Sequence, residues 1–146
     1  MTASSHNQGG AHQSRKSLAK KSQTHKPQTH KPQTHNQRLG AFGEEIAATW
    51  YLDAGYEILD RNWRVPEGEL DLVCRLGRMV VFCEVKTRSS DRFGTGAEAV
   101  GRAKQARIHR LATLWLRATK MGASKLRFDV ADVDRHGNLR LYEGCF

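Results

Sequence analysis

Acidic residues are missing from the first 38 positions, which hold seven Lys or Arg (Arg15, Lys16, Lys20, Lys21, Lys26, Lys31, Arg38) and five His. That stretch carries +7 of the formal net charge of +9, so the remainder is close to balanced. Aliphatic and aromatic side chains are nearly absent there too, beyond Leu18. A segment so poor in apolar groups cannot offset chain entropy by burial, and residues 1–38 are expected to be a disordered basic tail. A short repeat runs through it: Thr24-His25-Lys26-Pro27-Gln28, Thr29-His30-Lys31-Pro32-Gln33, then Thr34-His35-Asn36-Gln37. Such an arm raises non-specific affinity for nucleic acid by releasing counterions, whereas a solvated extension without a required role has the same composition. The His spacing matches no structural zinc site.

Long apolar runs are also lacking. The longest, Met79 to Cys83, is far too short to span a bilayer, and the tail has no apolar stretch of the kind a secretory signal needs. A cytoplasmic protein with no membrane partner is the expectation. Cysteine is scarce and odd in number (Cys74, Cys83, Cys145), which argues for buried thiols rather than disulfides.

What remains, residues 39–146, suits one domain, and 38% apolar residues over the chain suffice for one core. Helix formers from Ala41 to Ala54, with Phe42, Ile46 and Trp50 at four-residue spacing and Gly55 at the end, predict a first helix. Glu44 and Glu45 would lie in its first turn, where acids suit the helix dipole. Tyr56 to Trp63 reads as a strand and Pro66-Glu67-Gly68 as a turn. A second helix is expected from Ala97 to about Ala118, with Val100, Ile108, Leu111, Ala112 and Trp115 on one stripe and Arg102, Lys104, Arg107 and Arg110 on a basic surface. Two further strands follow, Leu126 to Val133 and Leu139 to Tyr142, separated by a turn at Asp134 to Gly137.

Between these elements lies Gly68 to Lys86, two apolar strands joined around Gly77 that nonetheless contain Asp71, Glu84 and Lys86. Ionised groups in a strand of Leu, Val, Phe and Cys are costly unless paired or metal-bound. With Arg75 and Arg78 flanking the turn, Leu70 would face Cys83, Leu72 would face Val81 and Cys74 would face Met79, giving one wholly apolar face. Glu69, Asp71, Val73, Val80, Phe82, Glu84 and Lys86 would share the other. Asp71 would then lie diagonal to Glu84, roughly 7–8 Å between backbones, close enough for both carboxylates to reach one cation.

Hydrolysis of a phosphodiester needs charge neutralisation on the phosphate and an activated water, and Mg²⁺ or Mn²⁺ held by one or two carboxylates serves both ends. Asp71 and Glu84 are the candidate ligands, and Glu44 is a further carboxylate if the first helix packs beside the hairpin's open end. Lys86 would aim an ammonium at the attacking water or the developing charge. The polar run from Thr87 to Gly96 suits phosphate contacts, so Arg88, Arg92, Lys104 and Arg107 are the candidate nucleic-acid-binding residues. An ion-pair cluster of purely structural role, or a non-catalytic DNA- or RNA-binding module, would use the same residues and differ in metal dependence.

The ordered set Gly40-x-x-Gly43-Glu44, Tyr51-Leu52, Gly55-Tyr56, Arg61-Asn62-Trp63-Arg64, Gly68-Glu69-Leu70-Asp71-Leu72-Val73, Phe82-x-Glu84-Val85-Lys86-Thr87-Arg88, Phe93-Gly94 and Glu98-Ala99-Val100 resembles the YraN-like family of bacterial proteins. That family is related by fold to Holliday-junction resolvases and the PD-(D/E)XK nucleases. The resemblance implies an α/β domain with a restriction-endonuclease-like core, a mixed central sheet of about five strands flanked by helices, in the order αβββαββ. Asp71 matches the superfamily's Asp, Glu84 and Lys86 its Glu-x-Lys, and Glu44 the first-helix Glu that archaeal resolvases place at the metal. Leu70 stands where the name's Pro would be. An endonuclease acting on structured or branched DNA is the implied activity; a junction resolvase would need two sites, which a homodimer supplies, although no feature of the sequence marks a dimer face.

Overall fold

The computed structural model describes residues 34–88 and 100–146. Helix α1 (His35–Asp53) is followed by strands β1 (Glu57–Val65), β2 (Gly68–Leu76) and β3 (Met79–Arg88), helix α2 (Arg102–Thr119), and strands β4 (Lys125–Asp134) and β5 (Leu139–Tyr142). The order is the expected αβββαββ. The five strands form one mixed sheet in sequence order, antiparallel except for the parallel pair β3–β4 that the α2 crossover permits. Helices cover both faces, so the domain is of the α/β class expected, a mixed five-stranded sheet flanked by helices.

Helix α1 starts earlier than the sequence pattern suggests, inside the stretch assigned to the tail. Thr34 and Gln37, read as the last copy of the repeat, form a capping box: the Gln37 N–H donates to Thr34 Oγ1 at 3.3 Å and the Thr34 N–H to Gln37 Oε1 at 2.8 Å. Residues 34–38, assigned to the tail, are thus the cap and first turn of α1, and residues 1–33 lie outside the described part. Glu44 and Glu45 fall in mid-helix rather than in the first turn, so the helix dipole is not what places them there.

The buried face of α1 also differs from expectation. Phe42 and Trp50 are more than a third exposed, and the residues against the sheet are Gly43, Ala47, Ala48 and Tyr51. Small side chains let the helix approach closely: a Cβ on Gly43 would stand 2.0 Å from Thr87 Oγ1 on β3. Phe42 and Ile46 lean instead on the β4–β5 turn at Gly137, whose φ of +86° suits glycine.

Opposite faces of the hairpin feed two cores. Leu72, Cys74, Val81 and Cys83 pack with Ala47, Ala48, Tyr51 and Ala131 under α1. Val73, Val80 and Phe82 pack with Ile108, Leu111, Ala112 and Trp115 under α2. Helix α2 begins at Arg102, so Val100, expected on its stripe, is buried just ahead of its N-cap Gly101, and residues 97–99 lie outside the described part. Cys74, Cys83 and Cys145 are free thiols, the first two fully buried.

The hairpin register is shifted two residues from the one inferred. Leu76 pairs with Met79, Cys74 with Val81 and Leu72 with Cys83, so Gly77 and Arg78 form the two-residue turn. Gly77, with φ +58°, takes the first of these positions, where L-residues are strained. Because the shift is even, every side chain keeps its face except Leu70. Beyond Leu72 the strand pairs only with β1, and Leu70, opposite Trp63, joins the α2-side core.

Gly43→Ala is expected to lower stability by about 1–3 kcal/mol, because the added methyl must push α1 from β3. Thermal denaturation measures the loss, and Thr87→Ala in the same chain should recover most of it by removing the clashing hydroxyl.

Candidate functional site

Strands β2 and β3 stop pairing at Leu72–Cys83. Continued by one step, the register would set Asp71 directly opposite Glu84, closer than the diagonal placement expected from sequence. Here the Asp71 side chain replaces the ladder: its Oδ2 accepts the Val85 N–H at 2.8 Å. The carboxylate is thereby fixed by backbone at the point where the strands part, and Glu84, 5% exposed, stands beside it.

Two ammonium groups answer the buried Glu84 charge. Lys86 Nζ lies 2.9 Å from Glu84 Oε1, and Lys104, projecting from α2, bonds to the same oxygen. Burial first, and the Glu84 carboxylate second, push Asp71 up to about 7; the Val85 N–H and Lys104 oppose the rise, and Glu44 adds to it. For Lys86, burial works against the charge, but the hydrogen bonds within the Lys104–Glu84 cluster and the carboxylates of Glu84 and Asp71 outweigh it, holding the ammonium above its ordinary value. Lys86 is thus a cation at neutral pH and poorly suited to be a neutral base.

Glu44 reaches the same region from α1. Its Oε2 accepts from Asn62 Nδ2 at 2.7 Å, and Asn62 adopts a φ of +54° on β1 to present that amide. A hollow of about 430 Å³ is lined by Glu44, Glu69, Asp71, Glu84, Lys86 and Lys104, among others. A second, of about 520 Å³, shares Glu69, Asp71, Glu84 and Lys104 and adds Arg64 and Arg107. The paired carboxylates are therefore open from two sides.

Among the described residues no three His, Cys, Asp or Glu side chains converge to enclose an ion. The Asp71–Glu84 pair nevertheless fits a hard cation that keeps most of its ligands as water, as Mg²⁺ does. Glu44, hydrogen-bonded to Asn62, stands at the margin of that pair rather than within it.

Of the residues assigned to nucleic acid, Lys104 instead neutralises Glu84 and belongs to the charge cluster. Arg88 Nε is bound to Asp132 Oδ1 at 2.9 Å, so its guanidinium is already engaged. Arg92 lies outside the described residues. Arg107 is exposed and lines the larger hollow. Glu69, as anticipated, sits at the exposed edge, where Arg64 pairs with it at 2.8 Å.

Asp132 and Asn62 are contributors that sequence reasoning missed as site residues. Asp132 is fully buried, pairs in register with Lys86 across β3–β4, and leaves Oδ2 without a hydrogen-bond partner. An acid inside the apolar run Phe128 to Val133 was the same signal that singled out Asp71. Asp129, equally buried, is fully answered by Tyr51, Arg127 and the Gly144 N–H and reads as structural.

Comparison with known proteins matches residues 43–133 to the model of the uncharacterised protein family UPF0102, the YraN family. The UPF0102 protein of Frankia casuarinae is 57% identical over 97 residues, covering 66% of this chain and 82% of that one. That of Frankia alni is 58% identical over 97 residues, covering 66% and 81%. Among solved structures, Pyrococcus furiosus SfsA in complex with Ca²⁺ aligns over 69% of this chain and 59% of that one at 15% identity, with a TM-score of 0.27, too low to add to the architecture seen directly.

The raised carboxyl of Asp71 sets a pH dependence for the metal-free protein. Between the ordinary carboxyl range and about 7 the folded state holds a proton that the unfolded chain has released, so stability falls as pH rises through that window. In EDTA, the Tm of the wild type relative to Asp71→Asn is expected to drop from about pH 5 to about pH 8, because the amide cannot ionise. A constant difference between the two would contradict the burial of this charge.

Proposed function

The chain belongs to the uncharacterised protein family UPF0102, and we propose its activity from the site itself: metal-dependent endonucleolytic hydrolysis of DNA, with structured or branched DNA as the substrate class. The observation that carries this reading is the placement of Asp71 and Glu84 side by side where β2 and β3 part, with Lys86 bonded to Glu84. The pairing of an Asp with a Glu-x-Lys at one strand end is the arrangement of PD-(D/E)XK nucleases in their Holliday-junction-resolvase-like branch.

In the reaction, water attacks phosphorus and the bond to the leaving oxygen breaks, with a proton passing to that oxygen. Mg²⁺ or Mn²⁺ held by Asp71 and Glu84 would supply Lewis acidity and a more acidic water. Asp71 is held in place by the Val85 N–H, so it need not reorganise when substrate arrives. Lys86 presents a fixed positive charge where negative charge grows on the phosphoryl oxygens. Glu44, steadied by Asn62, borders the hollow and orients solvent along its wall. The substrate is bacterial DNA in the cytoplasm, and a homodimer would give the two sites a four-way junction requires.

One observation favours a second reading, a non-catalytic DNA- or RNA-binding module. Lys86 and Lys104 both bind the same Glu84 oxygen, so the carboxylate is neutralised by the chain's own cations.

Purified protein should be incubated with labelled linear, flapped and four-way-junction DNA, with and without Mg²⁺. Asp71→Ala and Glu84→Ala are expected to reduce cleavage at least about 100-fold and Lys86→Ala about 10- to 1,000-fold, with duplex binding retained. Cleavage indifferent to these substitutions would exclude the site. Calorimetric titration with Mn²⁺ separates the two readings: heat of binding that vanishes in Asp71→Ala supports the hydrolytic one, and its absence in the wild type supports the binding module.

A further inference from the structure

We propose that the exposed flank of α2 is a docking surface for the phosphate backbone of a DNA duplex, extending from the carboxylate pair through Arg107, Arg110 and Arg117. The proposal rests on the nucleic-acid reading above and adds to it where the substrate lies.

Charge pairing leaves three arginines on this flank in one row. Arg61, Arg64, Arg75, Arg88 and Arg127 each face a carboxylate within 3.1 Å. Among the described residues, the guanidinium groups of Arg107, Arg110 and Arg117 have no ion-pair or hydrogen-bond partner, and all three residues are exposed. At 100° per residue they fall within about 80° of arc, and they span about 15 Å of helix. Lys104, one turn before Arg107, joins the row to Glu84, so the run from site to last arginine is about 20 Å.

Shape agrees with charge. Arg107 lines both the hollow that holds Asp71 and Glu84 and a neighbouring one of about 350 Å³ bordered by Arg110, Leu114 and Arg117. In the latter Glu67 is the one carboxylate among the lining residues. The groove is thus continuous in cations past the point where the strands part.

The kind of nucleic acid follows from what the groove lacks. Single strands are held by stacking bases on aromatic side chains, each worth about 1–3 kcal/mol. Among the described residues, none that lines either hollow is aromatic. A row of guanidinium groups without stacking partners suits a duplex, whose bases are already stacked and which presents one phosphate per strand every 3.4 Å or so along its axis.

The test uses the full chain in EDTA and measures anisotropy of a labelled blunt duplex of about 20 base pairs, two helical turns, as salt rises from about 50 to about 200 mM. Arg110→Ala/Arg117→Ala is expected to lower the slope of log K against log salt by about 1.8, the release of two phosphate contacts, with Tm unchanged because neither side chain is buried. Arg110→Gln/Arg117→Gln should give the same loss. Arg78→Ala, at the Gly77 end of the hairpin, should leave the slope as it is. An unchanged slope in the double variants, an equal loss per charge in Arg78→Ala, a loss seen only with oligothymidine, or no duplex binding by the wild type would each overturn the proposal. Duplex binding without cleavage would end the hydrolytic reading and leave this surface standing; Asp71-dependent cleavage with a wild-type slope in the double variants would do the reverse.

Discussion

Two like charges are held together where β2 and β3 separate, and much of the domain serves that constraint. The Val85 N–H ties Asp71, Lys86 and Lys104 answer Glu84, and Asn62 holds Glu44 from the neighbouring strand. These partners come from β1, β3 and α2. Displacing α2 would strip the buried Glu84 of one of its two ammonium partners, a loss felt strongly in a low-dielectric interior. The Asp71 carboxyl is not fully compensated, and its rise to about 7 is the residue of that conflict.

The architecture was readable because strand parity is robust. The hairpin register lies two residues from the one the sequence implies, yet an even shift keeps paired residues on their faces, Leu70 beyond the pairing being the exception, and the charges stay together with the α2-side core below them. The strand from Leu139 to Tyr142 was identified to the residue, since its turn has a glycine whose φ is +86°. What failed was helix detail. The cap of α1 hid in a repeat because Thr and Gln have equal standing in a polar tail and a capping box. Its packing face does not follow side-chain bulk, because close approach to Thr87 selects Gly43 and alanines over Phe42 and Trp50.

Long-range charge pairing was the least legible part of the site. Lys104 is 20 residues from Glu84, and sequence position alone gives it the look of a surface lysine on a basic helix. Arg88 likewise finds Asp132 on a strand 44 residues away. Once those pairs are removed from the basic surface, Arg107, Arg110 and Arg117 still stand in a row on the outer flank of α2.

The parallel pairing of β3 with β4 has a kinetic side. Strands β1 to β3 are joined by two-residue turns and can zip up locally, while pairing β4 with β3 requires the segment carrying α2 to be brought back across the sheet, a non-local closure that is slower than a hairpin's. Asp71 and Glu84 therefore assemble while still open to water, where their repulsion is screened. Only when α2 docks does their desolvation fall due, and the same step delivers Lys104 to meet it.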